Sequence, residues 1–451
     1  MDDGLRSRLK KLGLVQGLGE LSAARAASTS HGTQTGRVPI TGTEAPKWIR
    51  QGLPGMVHAT PHGNFWLLRN VYPADYVHGR LSFGGLLELG TDALTLMRVP
   101  DLGPRPAFID TETTGLAGGA GTLAFLVGVA VWEESQLVLH LVFMRSPGEE
   151  AAALSYLTDV LRGATGLVSF NGRGFDIPIL QARYIVNRMR PDVLDLPHLD
   201  LLLIARQLWR DHLASRRLGE LERQVLGVVR TDQDLESALI PMLYRQYLET
   251  EDPSEMARIF YHNEVDVLSL VSLLIHTARM ITSPETMALA PGEWSGVGRV
   301  YAKAGCERVA VQAWSRALDS RDDGLNPETA ARLWGELALR HKRSGEWPEA
   351  LAIWDRWVAA LPWAIDPLVE KAMYYEWVAG LPDAALTCCV EALQRAAAFP
   401  LGPTRSRMEA ELHHREERLR RRLANGELAC TEGAPDGGRS RLPPTEQSEG
   451  E

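Results

Sequence analysis

The chain has 451 residues, a formal net charge of −9 and four cysteines, Cys306, Cys388, Cys389 and Cys430, all in its second half. That length calls for at least two folded units with apolar cores, and the acidic balance excludes a general nucleic-acid coat, though not a local basic groove. With no secretory apolar run, no stretch approaching a membrane span and no metal-ligand cysteine spacing, we expect a cytoplasmic protein in a reducing compartment.

Residues 1–60 read as a mostly flexible leader, rich in Ala, Ser, Thr, Gly and Pro between about 20 and 60 and without periodicity. The next stretch, GNFWLLRNVYPADYVHGRLSFGGLLEL, mixes aromatic and β-branched residues with glycine. It predicts a few strands or an extended flap. From residue 106 the pattern sharpens: PAFID is a short buried strand, and TLAFLVGVAVW and QLVLHLVFM form a hairpin across EESQ. EEAAALSYLTDVLRG has helical spacing, GLVSFN is a buried strand, and 173–189 is again helical. A three-strand meander leading into β–α units is the order of the ribonuclease-H-like fold, an α/β domain with a mixed sheet. Helical segments follow HLDLLLIARQLW, ending in a long helix over 254–279.

Beyond residue 293 a repeat begins. Gly305, Gly345 and Gly380 stand 40 and 35 residues apart, each followed five residues later by alanine (Ala310, Ala350, Ala385). Trp314 and Trp354 lie nine residues after the first two glycines. Small residues where two helices touch, with large ones between pairs, predict an all-α region of tetratricopeptide-like hairpins over 293–400. Residues 401–451 read as a highly charged helix and a disordered tail. The domain boundaries expected are therefore 1–60, 61–282, 293–400 and 401–451, with the repeats binding a protein partner and dispensable for chemistry.

Five residues carry that chemistry: Asp110 and Glu112 in FIDTETTGL, Asp176 in SFNGRGFDIPIL, and His262 with Asp266 in YHNEVDVLSL. Asp110 and Glu112 alternate onto one face at a strand end, and the TTGL that follows opens backbone amides to a ligand. Read alone, Asp110 fits a helix cap, which leaves Glu112 without a role. Asp176 alone fits a helix-start carboxylate, and Asn171 fits either a turn residue or an amide that holds a carboxylate or nucleotide. His262 and Asp266, four apart, share a helix face, as a structural pair or a functional one. Asp200 reads as structural. Clustered carboxylates are costly unless cations neutralise them, and hard divalent ions prefer oxygen ligands, so a two-metal phosphodiesterase is the candidate. A basic rim would hold the strand, and Arg183, Arg188, Arg190, Arg206, Arg210, Arg216 and Arg217 supply the density for one.

Together these segments resemble the DEDD, or DnaQ-like, 3′-to-5′ exonuclease superfamily. FIDTETTGLAGGAGTLAFLVG, VSFNGRGFDIPIL, HLDLLLIARQLW and HNEVDVLSL look most like the YprB-type branch of ribonuclease-H-like proteins, which often carry tetratricopeptide repeats. The resemblance covers about residues 60–280. It implies Asp110, Glu112, Asp176 and Asp266 as the metal carboxylates, His262 as general base, and Thr113, Gly115 and Leu116 as the seat of a terminal nucleotide of DNA or RNA; the residue types then call for two Mg²⁺ or Mn²⁺ ions and a His262 near neutral pKa. In that superfamily the histidine subclass has four residues between base and Asp and the tyrosine subclass three. Here His262 has three and Tyr261 four. Helical geometry favours His262, with Tyr261 as the alternative. An endonuclease on the same scaffold, or a non-catalytic binding module, are the competing readings.

Overall fold

The structure is a computed structural model that describes residues 53–115, 121–232, 234–319 and 325–424. Most of the expected leader, the expected tail and Leu116 lie outside the described residues.

A seven-stranded sheet forms the centre, in the order β1-β2-β7-β6-β5-β8-β9. Its strands are β1 (Met56–Thr60), β2 (Gly63–Pro73), β5 (Pro106–Thr113), β6 (Ala124–Glu133), β7 (Gln136–Phe143), β8 (Gly166–Ser169) and β9 (His198–Asp200). A two-strand hairpin of β3 (Val77–His78) and β4 (Leu81–Ser82) stands beside it. The first five strands of the order pair antiparallel, whereas β8 and β9 join β5 in parallel. β6 is buried along nine of its ten residues, which is why AFLVGVAVW shows no polar alternation: both faces are covered. In the expected order, α2 (Glu150–Leu161) leads to β8, and α3 (Asp176–Val186) follows it.

Of the two readings of the segment before residue 100, the structure has the strands and not the flap: β1 begins at Met56, ahead of the expected boundary at 61, and β2 pairs with β7 over eight residues, adding two strands to the main sheet. After α1 (Thr91–Leu96) the chain enters β5 at the centre of the sheet.

Beyond the sheet lie α4 (Leu201–Leu208), the single turn α5 (Leu218–Leu221), α6 (Ile240–Thr250) and α7 (Ser254–Thr282). α7 is apolar and long enough to cross a membrane, contrary to the expectation that no segment comes close. However, 78% of its apolar window is buried inside the fold. It is the core helix on which the sheet, the β3–β4 hairpin and α6 pack.

The all-α region consists of α8 (Pro291–Lys303), α9 (Glu307–Asp319), α10 (Pro327–Ser344), α11 (Trp347–Ala360), α12 (Asp366–Trp377), α13 (Pro382–Ala397) and α14 (Pro403–Ala424). Gly305, Gly345 and Gly380 sit between consecutive helices at φ of 81°, 74° and 69°, the left-handed conformation that ends a helix without a Cβ penalty. Ala310, Ala350 and Ala385 are each fully buried. Four tryptophans twenty residues apart, Trp294, Trp314, Trp334 and Trp354, fall on successive helices. An arginine from the next helix stacks on each of the first three: Arg316 at 4.8 Å, Arg340 at 4.4 Å and Arg356 at 4.8 Å from the ring centre.

A second correction concerns the join at 282–293. Val297, Val300 and Ala313 belong to the same buried cluster as the sheet, so the core runs on into α8 and α9. In α8, a Cβ on Gly296 would lie 2.0 Å from the Leu208 carbonyl oxygen, and one on Gly292 would lie 2.5 Å from that of Asp211. Glycine alone allows that approach. Asp211, buried at the join, accepts from Ser295 at 2.7 Å, from Arg332 at 2.7 Å and from Arg299.

Candidate active site

The site forms where the C-terminal end of β5 meets α7. Strand alternation gives Asp110 and Glu112 the same face, opposite Gly128 and Leu126 of β6, and the register shifts between Glu112 and Thr113 as the strand ends. From α7, His262 and Asp266 project together, with His262 Nε2 3.6 Å from Asp266 Oδ2. Ligand atoms of Glu112, His262 and Asp266 all lie within 4.8 Å of one another, a spacing a single cation could bridge.

Asp110 and Asp176 are fixed next to this trio by neutral donors. Asn263 Nδ2 donates to Asp110 Oδ2 at 2.7 Å. Gly128 makes that possible, since a Cβ there would lie 2.0 Å from Asn263 Oδ1. Asp176 begins α3 and accepts from the Thr111 hydroxyl, so a helix-start carboxylate is also tied directly to β5. Gly172 clears its approach, because a Cβ there would meet Ser169 Oγ at 2.4 Å and Asp176 Oδ2 at 3.0 Å.

The electrostatics report a carboxylate cluster short of positive charge. Burial, then repulsion from Asp266, Asp176 and Glu112, pushes Asp110 well above the carboxylate range. Burial pushes Glu112 up to about 8 and Asp176 to about 6. For His262 burial acts downward, but Asp266, the Asp234 hydrogen bond and Glu112 outweigh it and raise the imidazole to about 9. The imidazole thus stands above the near-neutral value expected of it, because carboxylates face it from three elements.

Sequence reasoning missed the basic partner. Arg230, in the segment after α5, donates to Glu222 through Nε at 2.6 Å and Nη2 at 2.7 Å, and to Asp266 through Nη2. Asp234 accepts from Arg230 Nη1 at 3.1 Å and pairs with His262 Nδ1 at 2.7 Å. Ser237 Oγ stands 3.2 Å from His262 Nε2. Only the charge density of RTDQD marked this segment in the sequence, and an irregular loop gives no periodicity to read. Tyr261 is buried, and its hydroxyl accepts from the Thr231 backbone amide at 3.1 Å.

The remaining site candidates are placed as follows. Thr113 is buried and its hydroxyl donates to the Gly115 carbonyl at 2.9 Å, while Leu116 lies outside the described residues. Asn171 occupies the turn after β8 at φ 67°, with its backbone N–H donating to Asp200 Oδ1 at 2.8 Å. Asp200 also caps α4 through the Leu202 amide, which gives it a structural role. Of the proposed basic rim, Arg183 must be withdrawn, since it is paired at 2.6 Å with Glu150 and 12% exposed. Arg217 lines a cleft of about 720 Å³ with Arg223 and Arg230 that reaches His262 and Asp266. Arg188, Arg190 and Arg206 are exposed elsewhere.

Residues 107–278, from β5 through most of α7, match the RNase_H superfamily. YprB of Bacillus subtilis (strain 168) is 31% identical over 388 residues, covering 80% of this chain and 87% of YprB. Among solved structures, the family B DNA polymerase of Pyrobaculum calidifontis aligns with a TM-score of 0.32 at 14% identity, over 49% of this chain and 29% of the polymerase. Matched over four-fifths of its length to YprB, with its acidic site inside the superfamily segment, the chain belongs to the YprB family and carries a ribonuclease-H-like domain with a nuclease-like fold.

Proposed function

We propose that the protein is a metal-dependent nuclease, a 3′-to-5′ exonuclease hydrolysing phosphodiester bonds of DNA or RNA. The observation that carries this reading is the convergence of Glu112, His262 and Asp266 within 4.8 Å, in a buried setting where Asp110 and Asp176 add further unneutralised carboxyls. The donor set suits hard divalent cations: Asp110, Glu112, Asp176 and Asp266 would hold Mg²⁺ or Mn²⁺. Such ions supply Lewis acidity toward the phosphate and lower the pKa of water.

The chain's own residues do the rest. His262 accepts the proton of the attacking water through Nε2, once positive charge on the surrounding carboxylates has offset the pull that holds it near 9. Thr113, Gly115 and Asn171 border the strand ends where a terminal nucleotide would lie, and Arg217 and Arg223 offer charge to its phosphates along the cleft. The glycine–alanine register of α8–α13 supports tetratricopeptide-like repeats, whose stacked hairpins would present a surface to a protein partner.

The test is cleavage of end-labelled DNA and RNA strands by the purified chain with Mn²⁺. Wild type should shorten strands from the 3′ end, and folded Asp110→Asn and Asp266→Asn should not. An Asp110→Asn protein with an unchanged melting temperature and wild-type cleavage would refute the assignment.

A further inference from the structure

His262 is held by a second carboxylate that plays no part in the acidic motifs. Two contacts meet at its Nδ1: Asp234 Oδ1 at 2.7 Å and Arg230 Nη1 at 3.1 Å. They cannot both be hydrogen bonds. An unprotonated Nδ1 could accept from Arg230 but would then face the Asp234 carboxylate lone pair to lone pair, at the shorter of the two distances. A protonated Nδ1 donates to Asp234, and Arg230 Nη1 keeps its own acceptor in the same Asp234 oxygen at 3.1 Å. The geometry therefore selects Nδ1–H, which leaves Nε2 as the nitrogen turned toward Ser237 and Asp266.

Arg230 makes this arrangement stiff. Its side chain is 16% exposed, and four of its five N–H bonds go to carboxylates: two to Glu222, one to Asp266 and one to Asp234. A guanidinium so occupied has little left for a substrate phosphate. It fastens the segment 222–234 to α7, and so fixes where Asp234 stands. The N–H of Thr231 on the Tyr261 hydroxyl adds a second fastening on the next residue.

We propose that Asp234 is the positioning residue of the general base: it holds His262 by Nδ1–H, so that Nε2 is aimed at the reaction, and Arg230 clamps Asp234 in that place. This rests on the nuclease reading given above. An imidazole free to turn about χ2 would present the wrong nitrogen for much of its time, and loss of such a supporting carboxylate typically costs about 10–100-fold in activity.

The experiment uses the full chain and compares Asp234→Ala with Asp234→Asn, whose side-chain carbonyl can still accept from Nδ1–H. With end-labelled strands and Mn²⁺, Asp234→Ala should lower kcat by about 10–100-fold, with KM and the half-saturating Mn²⁺ concentration within about twofold of wild type, and Asp234→Asn should recover most of the loss. Wild-type kcat in Asp234→Ala, a loss confined to KM or to metal saturation, or an Asn variant as impaired as the Ala one would each overturn the proposal. A second readout needs no turnover: in ring-¹⁵N-histidine-labelled protein, the His262 Nδ1–H signal, assigned by its absence in His262→Gln, should be displaced in Asp234→Ala and retained in Asp234→Asn. An unchanged signal in Asp234→Ala would overturn the positioning role by itself. Failure of the wild type to cleave any strand would instead refute the nuclease reading, with the NMR comparison still deciding where His262 is held.

Discussion

Asp266 meets positive charge from both Arg230 and His262, whereas Asp110 and Asp176 accept from an amide and a hydroxyl, so the site is balanced on one side only. The imbalance has a pH signature. Glu112 and His262 both have pKa values raised by folding, to about 8 from 4.5 and to about 9 from 6.5. The folded protein thus binds more protons than the unfolded chain over those intervals, and the stabilisation is complete below the lower value and lost as pH rises through the upper one. Without metal, the melting temperature should fall between about pH 6 and about pH 8.5, and added Mg²⁺ should raise it more at the higher pH, where cation no longer competes with protons. Thermal shifts at both pH values check this, and an equal Mg²⁺ effect at both would contradict a proton-competitive carboxylate site. Glu112→Gln should shrink the difference between the two. The acids were legible in the sequence because Asp110 and Glu112 sit two apart on a strand, and His262 and Asp266 four apart on a helix, spacings that geometry alone turns to one side. Arg230 and Asp234 were not, because they reach the site from a segment with neither period, and only the fold sets their direction.

At the level of elements, positions without side chains decide what can approach what. Gly128 admits Asn263 to the strand that carries Asp110, and Gly296 and Gly292 admit the backbone around Leu208 and Asp211 to α8. β5, β6 and β7 could be read from apolar runs and one turn, whereas the place of β2 could not. Its partner β7 is more than sixty residues away in sequence, and nothing local in GNFWLLRNVYP names that partner. Asn70 and Tyr72 explain its position afterwards: both donate to the buried Glu264 of α7, Asn70 at 3.1 Å, tying the added strand to the core helix. The close approach at α8 gives a direct test. Gly296→Ala places a Cβ 2.0 Å from the Leu208 carbonyl oxygen, where backbone and not a flexible side chain must yield. Such overpacking costs about 1–3 kcal/mol or more, so the melting temperature should drop measurably, whereas Gly305→Ala, with open space around its Cβ, should show only the smaller strain of its positive φ. Equal losses in the two variants would mean that α8 does not pack on α4 as closely as described.

At the scale of the molecule, the question is where the half that carries the acidic site ends. The sequence invites a cut near Ser283, after the last acidic motif, and predicts a soluble core from it. Against that stand Trp209, fully buried with its indole N–H on Glu293 at 2.9 Å, and Val297 and Val300, at most 1% exposed within the core that also holds the sheet. A chain ending at Ser283 would bare these surfaces and leave Asp211, drawn below the carboxylate range by Ser295, Arg299 and Arg332 in spite of its burial, with neither its hydroxyl nor two of its guanidinium partners. Arg210 at 3.4 Å alone stays beside it, and the apolar surface that Val297 and Val300 covered returns to water at about 25 cal/mol per Å². A chain ending at Leu325 keeps α8 and α9, and with them Val297, Val300, Glu293 and two of the Asp211 donors, giving up Arg332 and the apolar face that α9 shares with Leu333 and Leu337. We therefore expect the longer fragment to be soluble, cooperative in thermal unfolding and active with Mn²⁺, and the shorter one to aggregate or melt well below it. If the chain ending at Ser283 unfolded cooperatively at the same temperature as the one ending at Leu325, the α8–α9 hairpin would be an appendage of the repeats, and the ribonuclease-H-like half would end where the sequence alone suggests.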